Sequence, residues 1–337
     1  MAFCSSSGLC FGRGGGKEIN TNCTMCSKLI DFDILVDDAF VNICTDTSIT
    51  PIDKSHLLSV VNGFEDNKWR MGIFRNFIFN NLAETGLSAQ EREALADKKF
   101  ETLVAAAQKL RIEKKINKNS GGEIGEIMLY GIMKHHFHAL PVVPKIFYKQ
   151  NAKDYAKGAD SVHITLSGSG DFELWFGEAK FYDSIKNARL DEPIASIDEM
   201  LSKKKFRDEN SLVTNLHDLD VLLKDAAMSK KVKDALSTSV SLDEIKKRLH
   251  VPIMLLHECD ITKVATDYNQ VYKDSIIAYH KERANAYFKK MFAKLNTTVK
   301  NLDSIHFHLI LFPVPCKADI VSDFMNHAQL LQNDGND

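Results

Sequence analysis

The chain has 337 residues, 44% of them hydrophobic and 26% charged, and a net charge of −2. That balance is ordinary for a soluble globular protein and excludes a mostly disordered or collagen-like chain. It leaves no overall basic field, so any nucleic-acid site has to be a local patch. No apolar run approaches the ~18 residues that span a bilayer, and the N-terminus lacks the basic-then-apolar pattern of a secretory signal. Seven scattered cysteines, an odd number, suit a reducing cytoplasm better than a disulfide framework.

Residues 1–28 read as a flexible arm, rich in Gly, Ser and Cys over 1–22. Gly12 to Lys17 imitates a phosphate-binding loop, but Glu18 stands where Ser or Thr is required and no strand precedes it. Cys23 and Cys26 have only Cys4 and Cys10 as further zinc ligands, and that second pair is spaced too widely. Residues 29–117 read as a smaller N-terminal α/β module. Within it, 29–48 alternate like two strands, and 67–84 and 89–112 read as helices, the second opening with a Ser88/Glu91 capping box.

Residues 118–332 read as the main domain. The pattern predicts a helix from Gly122 to about His138, with Ile124, Met128, Leu129 and Ile132 on one face and Pro141 and Pro144 stopping it. Short strands are predicted over Lys145–Lys149 and Ala159–Leu166. A turn at 167–170 then returns an antiparallel strand, Asp171–Tyr182. Helices follow over 184–205, broken near Pro193, and over 212–235, then a short helix capped by Ser241. A strand at Val251–His257, a helix at 267–295 and a strand at Ile305–Val314 complete the order. Together these imply a mixed sheet flanked by helices, an α/β fold.

The chemistry concentrates in the strand Phe172–Phe181. Strand side chains alternate, so Phe172, Leu174, Phe176, Glu178 and Lys180 share one face. Glu178 and Lys180 thus end an apolar row, roughly 7 Å apart. A carboxylate and an ammonium there cost several kcal/mol unless paired or coordinating something. Gly177 between them weakens the strand and admits a close neighbour. The hairpin brings Asp160 back near Glu178. Two carboxylates and a lysine at neighbouring strand ends suit a hard divalent cation that keeps positions open for water and phosphate. That is apparatus for phosphodiester hydrolysis.

Asp160, followed 18 residues later by Glu178-Ala179-Lys180, resembles the PD-(D/E)xK nuclease signature. The longer stretch 118–201, with GGEIGEIMLYGIMKHH, KGADSVHITL and FELWFGEAKFYDSI, resembles the HamA family, the nuclease subunit of bacterial Hachiman antiphage defence. The resemblance covers the second half of the chain well, the N-terminal module loosely and residues 1–28 not at all. It implies a restriction-endonuclease-like fold and a metal-dependent DNA nuclease with little sequence preference, restrained by a helicase partner, HamB. Asp160, Glu178 and Lys180 carry over, with Mg²⁺ (or Mn²⁺) on Asp160 and Glu178. Glu126 matches the family's helix glutamate, with Glu123 in reserve.

Lys145, Lys149, Lys153 and Lys157 lead up to this site and are the candidate phosphate contacts. His135, His136 and His138, and the pair His306 and His308, are poorer metal candidates, since no carboxylate motif accompanies them. The rival reading is a non-catalytic nucleic-acid-binding or helicase-docking subunit built on an inactive nuclease fold.

Overall fold

Apolar runs bounded by turn residues become strands, and 3.6-residue patterns between them become helices. The computed structural model describes residues 28–335 apart from 30, 47, 112–120, 147–157, 169, 216 and 217. The chain begins with β1 (Lys28–Leu29), β2 (Phe32–Ala39), the helical turn α1 (Phe40–Ile43), β3 (Ser55–Val61) and the small hairpin β4 (Phe64–Glu65) and β5 (Lys68–Trp69). Helices α2 (Met71–Asn80), α3 (Leu82–Gly86), α4 (Ala89–Ala94), α5 (Lys99–Ala107) and α6 (Gly122–His135) follow. Next come β6 (Leu140–Val143), β7 (Ser161–Leu166) and β8 (Phe172–Tyr182), then α7 (Asp191–Met200), α8 (Lys203–Asn215), α9 (Asp218–Leu223), α10 (Ala226–Leu236) and α11 (Leu242–Lys246). The last elements are β9 (Leu249–Glu258), α12 (Asp260–Val264), α13 (Gln270–Thr298), β10 (His306–Val314) and α14 (Lys317–Asp334).

Eight strands make one mixed sheet in the order β1-β2-β3-β10-β9-β8-β7-β6. The central four, β3, β10, β9 and β8, run parallel, and antiparallel strands complete both edges. Parallel strands are covered on both faces, which is why β9 and β10 are almost wholly apolar. On one face Phe176, Ile253 and Leu309 pack with Ile197, Phe206 and Phe288 from α7, α8 and α13. On the other, Trp175, Met254 and Phe312 pack with Phe77, Met128 and Val321 from α2, α6 and α14. The expected α/β class, a mixed sheet flanked by helices, is what forms.

Several local expectations change. The 29–48 segment holds one long strand and a helical turn; the second long N-terminal strand is β3, whose run SHLLSVV does not alternate because both its faces are covered. The Ser88/Glu91 capping box forms, but the helix it opens ends at Ala94 and α5 starts afresh at Lys99. In place of a strand at Lys145–Lys149, the edge strand β6 lies at 140–143, where Pro141 sits without loss on a sheet edge. Of that predicted strand, 147–149 lie outside the described residues, as do the phosphate-loop imitation and the four N-terminal cysteines. Pro193 does not interrupt its helix; it sits in the first turn of α7, where its missing N–H has no intrahelical partner to lose. Helix α14 had no counterpart in the reading of the sequence. The N-terminal strands β2 and β3 extend the same sheet as the main domain, so residues 29–117 are not a unit set beside it.

Gly177 is closely surrounded by β7, α6 and β9. A Cβ built there would lie 2.3 Å from Ser161 Oγ, 2.8 Å from Leu129 Cδ2 and 3.1 Å from Pro252 Cγ. At Gly125, by contrast, it would make ordinary contacts at 3.7 Å. Gly177→Ala is therefore expected to destabilise the fold by about 1–3 kcal/mol through overpacking. Urea unfolding of the two proteins checks this, and an unchanged midpoint would contradict the close packing.

Candidate active site

Asp160 stands at the residue before β7 and is held at two points. Its amide donates to the Gly177 carbonyl at 2.7 Å, and its Oδ2 accepts from the Ala179 amide at 3.1 Å. The β7–β8 register, with Ser161 opposite Gly177, places it there. The hairpin therefore seats Asp160 against the middle of the Glu178-Ala179-Lys180 motif.

Glu178 and Lys180 project from the face that bears Leu174 and Phe176, as alternation requires. Glu178 is 3% exposed, and its Oε1 lies 2.6 Å from Lys180 Nζ. Burial, and next the nearby Asp160 carboxylate, push the Glu178 carboxyl up to about 7, against the opposing pull of Lys180 and a hydrogen bond with Ser196. Burial disfavours the Lys180 ammonium, but Glu178, Asp160 and Glu192 outweigh it and hold that group above its ordinary value. The site thus stores like-charge repulsion between two carboxylates beside one cation.

Asp160 and Lys180 form the wall between two adjoining cavities. One also holds Glu178, Ser196, Glu199 and Lys205. The other holds Glu126, Glu192, Arg189 and Lys317. Glu126 reaches it from α6, on the opposite face of the sheet from Glu178, and is itself buried. Glu123 turns elsewhere: its Oε1 accepts from the Arg111 amide at 3.1 Å. The helix phase therefore brings Glu126, not Glu123, to the motif.

A model of the HamA family matches residues 38–328. The chain belongs to the HamA family. No curated protein and no solved structure matches it. HamA is a component of Hachiman antiphage defence, and in this HamA chain no helix among the described residues is long and apolar enough to cross a membrane. The family match takes in both β3 and the motif, which belong to one sheet.

One expected phosphate contact of this HamA chain needs correction. Lys145 is fully buried, and its Nζ lies 2.8 Å from both carboxylate oxygens of Glu209. A side chain so enclosed cannot meet a nucleic-acid backbone. Lys149, Lys153 and Lys157 lie outside the described residues. Of the cations that do border the site, Arg189 and Lys317 were not singled out from the sequence, nor were Glu192, Ser196 and Glu199. The last three were legible in principle. They recur at i, i+4 and i+7 along α7, a polar stripe on one helix face.

Several histidines pair with one another or with a single polar neighbour. His250 Nδ1 and His308 Nε2 lie 2.9 Å apart, His250 Nε2 is 3.3 Å from Glu173, and Trp175 and His306 stack on His250. His135 meets Asn81 at 3.0 Å, and His136 lies 3.4 Å from Asp37. Among the described residues no three His, Cys, Asp or Glu side chains are grouped to hold a metal ion. A cation at the motif would therefore take two protein carboxylates, Asp160 and Glu178, and complete its shell with water and phosphate oxygens. That is the habit of Mg²⁺. The repulsion between the two carboxylates is what such a cation would relieve, so the residues present fit it.

Proposed function

We propose that this HamA-family protein is a Mg²⁺-dependent deoxyribonuclease with little sequence preference that acts with a helicase partner, the HamB-like subunit, in antiphage defence. The observation that carries the reading is the meeting of Asp160, Glu178 and Lys180 across one hairpin. Asp160 and Glu178 would hold the cation, which when bound polarises the phosphoryl group and lowers the pKa of a water. Lys180, kept protonated by its carboxylate neighbours, places a positive charge where the phosphorane-like transition state gathers negative charge. Arg189, exposed on the rim of the Glu126 cavity, would add a positive charge for the DNA backbone beside the site. Water adds to phosphorus, the P–O bond to the leaving sugar breaks, and the leaving oxygen takes a proton.

The test is plasmid nicking by chelator-stripped protein, alone and with the helicase. Mg²⁺ or Mn²⁺ is expected to restore cleavage, and Ca²⁺, with its longer and looser coordination, to suppress it. Restoration by zinc alone would refute the carboxylate site. Cleavage by neither preparation with any metal would favour the non-catalytic binding subunit.

Glu126→Gln is expected to lower cleavage by about 10–100-fold, as removal of a group supporting metal ligands does, while Glu123→Gln changes it by less than about threefold. The kinetic comparison is run at saturating Mg²⁺. A larger loss from Glu123→Gln would place the helix glutamate a turn away from where the fold puts it.

A further inference from the structure

We propose that the buried Lys145–Glu209 ion pair is the positioning device for Asp160, an inference that rests on reading Asp160 as a metal ligand. Three distant segments meet behind that residue. Lys145 follows β6 and Glu209 comes from α8; both are almost wholly enclosed, at 0% and 2% exposure. Lys145 Nζ grips both oxygens of the carboxylate at 2.8 Å, and one of them, Oε1, also accepts from the Ala159 amide at 3.1 Å. Ala159 immediately precedes Asp160. Gly158 lies hard against the same oxygen: a Cβ there would sit 1.9 Å from Oε1.

The Ala159 bond adds a third hold on the turn, behind the two that Asp160 makes with Gly177 and Ala179. Helix α6 is tied into the same assembly. Tyr130, one turn beyond Glu126, donates to the Val143 carbonyl and accepts from the Lys145 amide at 3.3 Å. One helix thus presents Glu126 and anchors the segment that carries Lys145.

The choice of a charged pair points to positioning over packing. An apolar pair of similar volume would fill the space without the cost of desolvating two ions. It could not accept the Ala159 N–H. The positioning element is the Glu209 oxygen that accepts the Ala159 N–H, and Lys145 balances the charge of a carboxylate buried there.

Two double variants of the full chain separate the roles. Lys145→Met with Glu209→Gln keeps an acceptor for Ala159; Lys145→Met with Glu209→Leu does not. Both remove the charges together and avoid leaving one ion stranded. The readouts are thermal unfolding of metal-free protein and Mn²⁺ affinity by calorimetry, with Asp160→Asn as the control that removes the ligand itself. The Gln variant is expected to bind Mn²⁺ within about threefold of the parent and the Leu variant about 10–100-fold more weakly, at similar melting temperatures. Gly158→Ala, which keeps both charges but forces the carboxylate off Ala159, is expected to show the same loss and stands in if the Leu variant does not fold. Parent-like Mn²⁺ affinity in the Leu variant or in Gly158→Ala overturns the proposal, as does an equal loss in both double variants. Equal Mn²⁺ affinity in the parent and Asp160→Asn is a separate result. It removes Asp160 from the metal site, and the positioning role falls with it.

Discussion

Asp160→Asn is expected to lower DNA cleavage by about 10³-fold or more, some 4 kcal/mol of lost transition-state stabilisation, while making the stability of the metal-free protein fall less steeply as pH rises. Asparagine keeps an oxygen for the Ala179 amide, so the turn that carries it survives. What disappears is a negative charge beside Glu178. Burial and that charge raise the Glu178 carboxyl to about 7 in the folded protein, against 4.5 for the ordinary side chain. Between those values the folded state binds a proton that the unfolded state has released. Stability therefore falls as pH climbs from 4.5 through 7, and the loss is complete above that. Without Asp160 the folded carboxyl titrates lower and the loss shrinks. The variant also loses Asp160's attraction for Lys180, a constant offset across this range, so the stability difference between variant and parent should move in the variant's favour from pH 4.5 to 8. Thermal unfolding in chelator across that range, beside a nicking assay at pH 8, measures both effects. Parent-level cleavage would remove Asp160 from the chemistry, and a constant stability difference would separate it from Glu178.

Removal of residues 1–111 is expected to leave a chain that cannot fold, where the sequence alone suggested a separate N-terminal module. Strand β3 is paired with β10 over Phe307 to Leu311, and Leu57, Leu58 and Val60 are wholly buried. Taking it away bares an apolar parallel strand in the middle of the sheet, a ready template for aggregation. It also strips Phe74, Phe77 and Ile78 of α2 from the core that α6 shares. Helix α6 carries Glu126, so the site would lose its support even in a chain that stayed soluble. Expression of residues 112–337, followed by near-ultraviolet circular dichroism and limited proteolysis, decides the matter. A soluble fragment with native-like dichroism would restore the separate module.

The motif was legible from the sequence because its signals are local. Alternation along β8 puts Glu178 and Lys180 on one face, and a short hairpin connection fixes the register that returns Asp160 to them; both rules act within 25 residues or so. The Ser88 capping box and the α6 pattern are local in the same way. What the sequence could not decide was set by partners far along the chain. Lys145 reads as one more surface cation until Glu209, from another helix, closes over it. The run at Ser55–Val61 has no periodicity because helices cover both faces of β3, and its parallel neighbour β10 lies about 250 residues away. The stripe of Glu192, Ser196 and Glu199 reads as a solvated helix face, and only the packing of α7 beside β8 brings it to the rim of the site. Periodicity tells which residues share a face; only the packing of distant elements tells what that face meets.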